Sequence, residues 1–339
     1  MTTFEKTRIQ LNSDLNLIKS FAKKNNKSFL ISPITLYACL ELSKNVFPCL
    51  QKLVDEFILT DYSYIESECL KIGTGIFGNT CDNYKQPNFP VCVTSDKSAD
   101  IINKFIEQAT GGMIKDSLSE SDVVGAYLVL VSCLHFKCGW LIPFDPITTH
   151  KRSFTGLNGK VSVDMMSYTN NFSGKIEYHF IESDHFDTLV LPYEDKRFVA
   201  KLTLPKDSSV IDVRHVLDIH TQEYYEHILS DGKVETIVNI CVPKFKINFK
   251  CSNILNNLSD SGFDANQLKD LTGVDQIIHH VSLEVDEKGT VGSAATSMIA
   301  RCMVSCREWN GNRPFIFNIR DLYNNTTLFI GTIDLSVQE

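Results

Sequence analysis

Clustered positive charge is what this 339-residue chain most clearly lacks. Its 33 Lys and Arg stand against 41 Asp and Glu, a formal net charge of −8, and basic residues do not gather into runs longer than a pair. A nucleic-acid or anionic-membrane partner requires a basic face, so neither is expected. Long hydrophobic runs are missing too. The longest uncharged, mainly apolar stretch, Val123 to Leu134, is too short to cross a bilayer. Met1-Thr2-Thr3-Phe4-Glu5-Lys6 shows no charged segment leading into an apolar one, so no signal peptide is read. No internal repeat, low-complexity tract or Pro/Gly-rich linker divides the chain. One domain covering 1–339 is therefore expected, although the length would accommodate two. The 11 cysteines are odd in number and follow no framework. Without a secretory signal they read as reduced thiols of a cytoplasmic protein.

What is present describes an ordinary globular protein, 43% hydrophobic and 22% charged. Leu11 to Ala22 carries apolar residues at helical spacing. Ser32-Pro33 opens a second helix, with Ser32 as its cap and Pro33 at its first position. Ile101 to Ile114 reads as a helix stopped by Gly111-Gly112, and Ile254 to Leu258 as a short one. From Val123 onward the pattern turns to strands. Tyr127 to Phe136 is continuously apolar, as a strand buried on both faces requires. Further strands are expected at 188–191, 198–204, 236–242, 246–249, 282–285, 315–319 and 327–333. The elements interleave without a boundary, which predicts a mixed α+β fold.

The most informative segment runs from Glu287 to Thr296, Glu-Lys-Gly-Thr-Val-Gly-Ser-Ala-Ala-Thr. It has no bulky apolar anchor, yet its small residues fit a packed sheet, so it suits both loop and strand. With period two, one face would carry Thr290, Gly292, Ala294, Thr296, Met298 and Ala300, and the other Val291, Ser293, Ala295, Ser297 and Ile299. No charge occurs between Gly289 and Ala300. Burial of the segment therefore strands no unpaired ion, which would cost several kcal/mol.

A series of further motifs accompanies it in fixed order. These are Phe29-Leu30-Ile31-Ser32-Pro33-Ile34-Thr35, Asn103-Lys104-Phe105-Ile106 with Thr110-Gly111-Gly112-Met113-Ile114, His135-Phe136-Lys137-Cys138-Gly139-Trp140, Pro143-Phe144-Asp145-Pro146, Val163-Asp164-Met165-Met166, Leu191-Pro192-Tyr193, Val242-Pro243-Lys244-Phe245, Arg313-Pro314-Phe315-Ile316-Phe317 and Leu328-Phe329-Ile330-Gly331. In this order and spacing, from about Leu11 to Ile333, the chain resembles the serpins. The shortened length, free cysteines and lack of a visible signal look most like the intracellular serpins of poxviruses.

The resemblance implies a serpin fold: a large central mixed β-sheet with further sheets, a helical cluster and an exposed reactive-centre loop at about 288–312. It implies a suicide inhibitor rather than an enzyme, with no cofactor and no metal. A protease attacks the loop, and the loop then inserts as a strand into the central sheet. The hinge falls on Glu287, Gly289, Thr290, Gly292, Ala294, Ala295 and Thr296; Gly292 and Ser293 depart from the family's Ala-rich pattern. Family spacing from Glu287 and from Pro314 places the bait at Met303, followed by Val304, with Cys302 and Arg301 as alternatives. The expected partner is a host serine protease of chymotrypsin-like or elastase-like preference, a trypsin-like one being an alternative through Arg301. No Asp lies between Asp286 and Asp321, so a caspase is a poorer match. The region from Leu42 to Ala99 is compressed where some relatives bind heparin, so no heparin site is expected. The competing expectations are a non-inhibitory serpin acting as a host-protein binding factor and a cross-class inhibitor of a cysteine protease.

Several residues invite sharper readings. Cys133 and His135 would share a strand face, but their spacing is not that of a zinc site and core packing explains them better. His279-His280 falls where the family carries a structural histidine. Cys302 has no positioned base and reads as bait rather than nucleophile; a Cys302–Cys306 bridge locking the loop is the redox alternative. Trp140 matches the family's buried tryptophan near the gate where insertion begins. Ser132-Cys133 replaces the usual Asn-Ala of the central strand.

Overall fold

The computed structural model describes residues 3–24, 28–58, 67–78, 98–169, 178–230, 232–235, 237–290 and 307–336. The first third is mainly helical: α1 (Thr3–Lys24), β1 (Phe29–Ile31), α2 (Pro33–Val46), α3 (Gln51–Phe57), β2 (Leu70–Gly78), α4 (Ser98–Ala109) and α5 (Glu120–Val123). A run of strands follows: β3 (Leu128–Phe136), β4 (Cys138–Gly139), β5 (His150–Gly156), β6 (Gly159–Thr169), β7 (Tyr178–Glu182), β8 (Phe186–Pro192) and β9 (Phe198–Pro205). Helices α6 (Val213–Ile219) and α7 (Thr221–Leu229) lead to β10 (Lys233–Glu235), β11 (Ile237–Pro243) and β12 (Phe245–Cys251). The remainder comprises α8 (Leu255–Asp260), α9 (Ala265–Thr272), β13 (Val274–Val285), β14 (Gly289–Thr290), β15 (Arg307–Asn310), β16 (Phe315–Asp321) and β17 (Thr326–Ile333).

Four sheets form among the described residues, and the three larger ones differ in their pairing. The seven-stranded sheet, β1-β17-β16-β9-β8-β7-β10, is antiparallel throughout. The four-stranded sheet β15-β11-β6-β5 has one parallel pair at its edge, β15 with β11. The mixed sheet, β12-β13-β3-β2, has antiparallel outer pairs and a parallel central pair, β13 with β3. Beside its end, β14 pairs antiparallel with β4.

Strand β3 is buried on both faces, as its unbroken apolar run implies. Leu128 and Leu130 enter the core that also holds Leu36 and Leu40 of α2, whereas Val129, Val131 and Cys133 pack with Ile102 and Ile106 of α4. Helix α4 lies close on the sheet: a Cβ on Gly73 of β2 would fall 2.5 Å from Ala109 Cβ and 2.6 Å from Cys133 Sγ. The helix ends at Ala109 rather than near Ile114, because Gly111 (φ 61°) and Gly112 (φ 82°) take the left-handed conformation. Ser32 also departs from its expected role. It stands at the N-cap position before Pro33, but its side chain makes no capping hydrogen bond. Strand β13 starts at Val274, well before Ser282, because Asp275, Gln276, His279 and His280 interrupt the apolar pattern while the strand continues through them.

Candidate functional site

The chain leaves β13 through a tight turn. The Asp286 main chain exchanges hydrogen bonds with Gly289 at 3.0 and 3.3 Å, and Asp286 Oδ1 accepts the N–H groups of Lys288 and Gly289 at 2.8 and 3.2 Å. Gly289 adopts φ 148°, and a Cβ there would lie 2.3 Å from the Cys138 carbonyl oxygen, so only glycine fits. The chain then doubles back as β14, with Gly289 opposite Gly139 and Thr290 opposite Cys138. Thr290 is fully buried, and its hydroxyl meets the Tyr193 hydroxyl at 2.8 Å.

Aromatic packing and a charge clamp hold this exit. Trp140 stacks on Tyr193 at 4.6 Å between centroids, donates from Nε1 to the Asp286 carbonyl at 3.0 Å and from its main-chain N–H to the Lys288 carbonyl at 2.9 Å. The Phe144 N–H donates to the Glu287 carbonyl at 2.8 Å. Glu287 itself accepts from Thr149 Oγ1 and from Lys244 Nζ, each at 2.8 Å. Burial alone would raise the Glu287 pKa; the bonds from Lys244 and Thr149 outweigh it and hold the carboxyl below its ordinary value. Cys138 lies beside Cys69, with their sulfurs 2.8 Å apart, and burial pushes the Cys138 thiol up to about 12.

Further along, two adjacent histidines bridge the parallel pair to its surroundings from opposite faces. His279 stands directly opposite Ser132 of β3. Its Nε2 accepts the Ser32 N–H at 3.0 Å, which leaves the proton on Nδ1 to be donated to Ser132 Oγ at 2.7 Å. One neutral imidazole thus ties β13, β3 and the start of α2. His280 faces the other way, its ring nitrogens 2.5 Å from Ser117 Oγ, in the connector after α4, and 2.5 Å from Asn248 Oδ1 of β12. Asp122 adds to this strap, accepting from Gln276 Nε2 through its carbonyl at 2.8 Å and from Lys250 Nζ at 3.0 Å. Burial lowers both histidines, His279 to about 3 and His280 to about 4.

The structure thus places Glu287, Gly289 and Thr290 together with Trp140. Gly292, Ala294, Ala295, Thr296, Arg301, Cys302, Met303, Val304 and Cys306 lie outside the described residues. Cys133 packs in an apolar cluster, with its thiol pushed up to about 12 by burial, and it has no metal-ligand arrangement with His135. The sequence reading missed Ser32 as a hydrogen-bond donor to His279, the Ser117 and Asp122 strap, and the Lys244–Thr149 clamp on Glu287. Lys244 lay within a family motif, but its partner could not be read from local pattern.

A family model described as serpin (serine protease inhibitor) matches residues 77–334. The chain belongs to the serpin family. Among relatives, the plasminogen activator inhibitor 1 of Sus scrofa is 29% identical over 253 residues, covering 70% of this chain and 61% of its own. An uncharacterized serpin-like protein of Methanosarcina mazei is 28% identical over 255 residues, covering 70% and 58%. The match therefore spans about three fifths of these relatives' length. The native-state thermophilic serpin tengpin superposes with a TM-score of 0.80 at 21% identity, covering 98% of this chain and 95% of tengpin. Serpin48 of the insect Tenebrio molitor gives 0.79 at 21%, covering both chains fully. The serpin fold is thus shown, with several sheets and packed helices. No helix among the described residues is long and apolar enough to cross a membrane.

Proposed function

We propose that this serpin is a suicide inhibitor of a serine protease, acting by cleavage within 288–312 and insertion of the hinge between β3 and β13. The observation that carries this reading is the parallel β3/β13 pair flanked by a ladder already begun at Thr290. A strand running back from Thr290 is antiparallel to both neighbours. Continued at the register of β14 on β4, it sets Gly292 opposite Phe136, Ala294 opposite Leu134, Thr296 opposite Ser132, Met298 opposite Leu130 and Ala300 opposite Leu128. The uncharged stretch of the sequence runs out opposite Leu128, where β3 begins, and Arg301 is the first charge beyond it. Insertion breaks the ladder between β3 and β13 and makes one on each side of the new strand, a net gain of one ladder at about 1 kcal/mol per main-chain hydrogen bond, so a full-length insertion is downhill.

The bait in this reading is Met303–Val304, with bonds after Cys302 or Arg301 next, and the target is a chymotrypsin-like or elastase-like protease. A cytosolic site of action is supported by the seven described cysteines, all free thiols. A role in a virus-infected host cell rests only on the resemblance of the short, free-cysteine chain to intracellular poxvirus serpins, while the relatives named above are mammalian and archaeal. Gly292 and Ser293 favour one second reading, a serpin too slow to trap a protease that serves instead as a binding protein. Incubation with a panel of serine and cysteine proteases, denaturing gels and sequencing of the released peptide tests both. A detergent-stable serine-protease complex with a new terminus at Val304 is expected. Cleavage without any stable complex favours the second reading. A complex with a caspase alone overturns the target assignment.

A further inference from the structure

Away from the insertion seam, the β7–β8 turn and the α6–α7 junction bring two imidazoles and a carboxylate together. His185 lies in the turn, His220 between the two helices and Glu223 in the first turn of α7. Glu223 Oε2 is 2.6 Å from His185 Nδ1 and 3.8 Å from His220 Nδ1, while Oε1 accepts the His185 main-chain N–H at 2.8 Å. The two rings stack with centroids 3.6 Å apart and planes 19° apart. One donor atom from each residue lies within 4.8 Å of the others, and no other group of three His, Cys, Asp or Glu among the described residues does this.

We propose that His185, His220 and Glu223 form a binding site for a divalent transition-metal ion of the zinc type. Two imidazole nitrogens and one carboxylate oxygen are a donor set that zinc accepts, with water in the open position. Ligand bonds of about 2.0–2.2 Å set donors roughly 3.3–3.6 Å apart around a tetrahedral ion, and the 2.6 and 3.8 Å separations bracket that range. Calcium and magnesium, which favour oxygen donors, fit poorly.

The frame behind the donors is firm. The His185 carbonyl accepts the Lys206 N–H at 2.9 Å, the His220 carbonyl accepts the Tyr224 N–H at 2.9 Å, and His227 of α7 meets Thr188 of β8 at 2.6 Å. The rings themselves are open to solvent, with side-chain exposures of 46% for His185 and 28% for His220. Binding asks them to turn out of their stack so that both in-plane lone pairs meet one ion, and the His185 proton moves from Nδ1, where it faces Glu223, to Nε2, which frees Nδ1 for the ion. The ion then staples the β7–β8 turn to α7.

The test uses the full chain, stripped with a chelator and titrated with ZnCl2 by calorimetry and thermal melting. One saturable equivalent in the micromolar range and a raised melting temperature are expected, with MgCl2 giving neither. His185→Ala with His220→Ala should weaken binding by more than roughly tenfold and abolish the thermal rise. Glu223→Gln, which retains an oxygen for the His185 N–H, should do the same. Should the double variant fail to fold, His220→Gln carries the test, since His220 Nδ1 is too distant from Glu223 for a hydrogen bond. A cobalt adduct should show no thiolate charge-transfer band. The proposal is overturned by absence of saturable zinc binding, by binding unchanged in the histidine variants, or by a cobalt–thiolate band assigning the ion to the cysteines.

Discussion

The seven-stranded sheet and the mixed sheet are built from similar apolar strands, yet only one has a place for another strand. In the seven-stranded sheet every neighbour is antiparallel, so a strand pushed between any two would be parallel to one of them. In the mixed sheet the central pair β3/β13 is parallel, and a returning chain is antiparallel to both. That geometry sits beside Gly289 and Thr290, where the chain has already doubled back. Under the proposed mechanism the contrast separates a scaffold from a moving part. The scaffold should respond to mutation in stability alone, and the seam should respond in both stability and insertion.

The largest effect should come from charging the start of the ladder. Thr290→Arg places a cation at a fully buried position against Tyr193. Leaving it unpaired costs several kcal/mol, so stable complex formation should fall by roughly 100-fold or more, about 3 kcal/mol, while the loop is still cleaved. Inhibition at the original rate in a stopped assay would show that insertion does not run along this ladder. The scaffold counterpart is Gly331→Ala in β17, where a Cβ would lie 2.0 Å from the Phe29 carbonyl oxygen. A displaced backbone contact of this kind costs about 1–3 kcal/mol. Denaturant unfolding should show that loss with the ratio of complex to cleaved product unchanged.

The same contrast explains what could be read from sequence. Strand β3 was legible because burial on both faces leaves a continuous apolar run, and β16 and β17 were legible for the same reason. The first half of β13 was not, because His279 and His280 break the pattern and find their partners in Ser32, Ser132, Ser117 and Asn248, far away in sequence. Pairing direction has no local signature at all, so the parallel seam emerged only from the fold. At the site, the uncharged face from Thr290 to Ala300 was legible as insertable. The register proposed for its insertion was not, since it is extrapolated from the Gly289–Thr290 ladder with β4. His220 and Glu223 carried a faint helical spacing, but His185 reaches them only through the β7–β8 turn.

Histidine protonation gives a smaller effect that sharpens the comparison. His279 at about 3, His280 at about 4 and His227 at about 4 are all depressed by burial from an unfolded value of roughly 6.5. The unfolded chain binds the extra protons in this window, so stability rises with pH there and is lost as pH falls from about 6.5 toward 4. Each imidazole contributes about 1 kcal/mol per pH unit. His280→Gln and His227→Gln should each flatten the pH dependence of unfolding by a similar amount. Only His280→Gln should also change the rate of loop insertion, because its ring straps the α4 connector to β13, whereas His227 bonds Thr188 in the antiparallel sheet. Equal insertion rates for the two variants would remove the strap from the mechanism.

The smallest effect concerns the clamp on Glu287. Lys244 Nζ is 2.8 Å from the carboxylate, but its side chain is 37% exposed against 11% for Glu287, so solvent screens the pair. Its contribution is about 1 kcal/mol or less. Because the Glu287 pKa is held below its ordinary value, the stabilisation is present above the unfolded carboxyl pKa of about 4.3 and is lost as pH falls through the folded value. Lys244→Met removes the charge and keeps the apolar stem, while Thr149 still donates to Glu287. At neutral pH this variant should lower unfolding stability slightly and speed insertion of the cleaved loop by a few fold, since the turn after Asp286 then loses the one ion pair that ties it to Lys244. The rate gain should disappear below the carboxyl titration, where the wild-type clamp is already open. A rate gain that persists at acid pH would show that Lys244 restrains the hinge by packing rather than by charge.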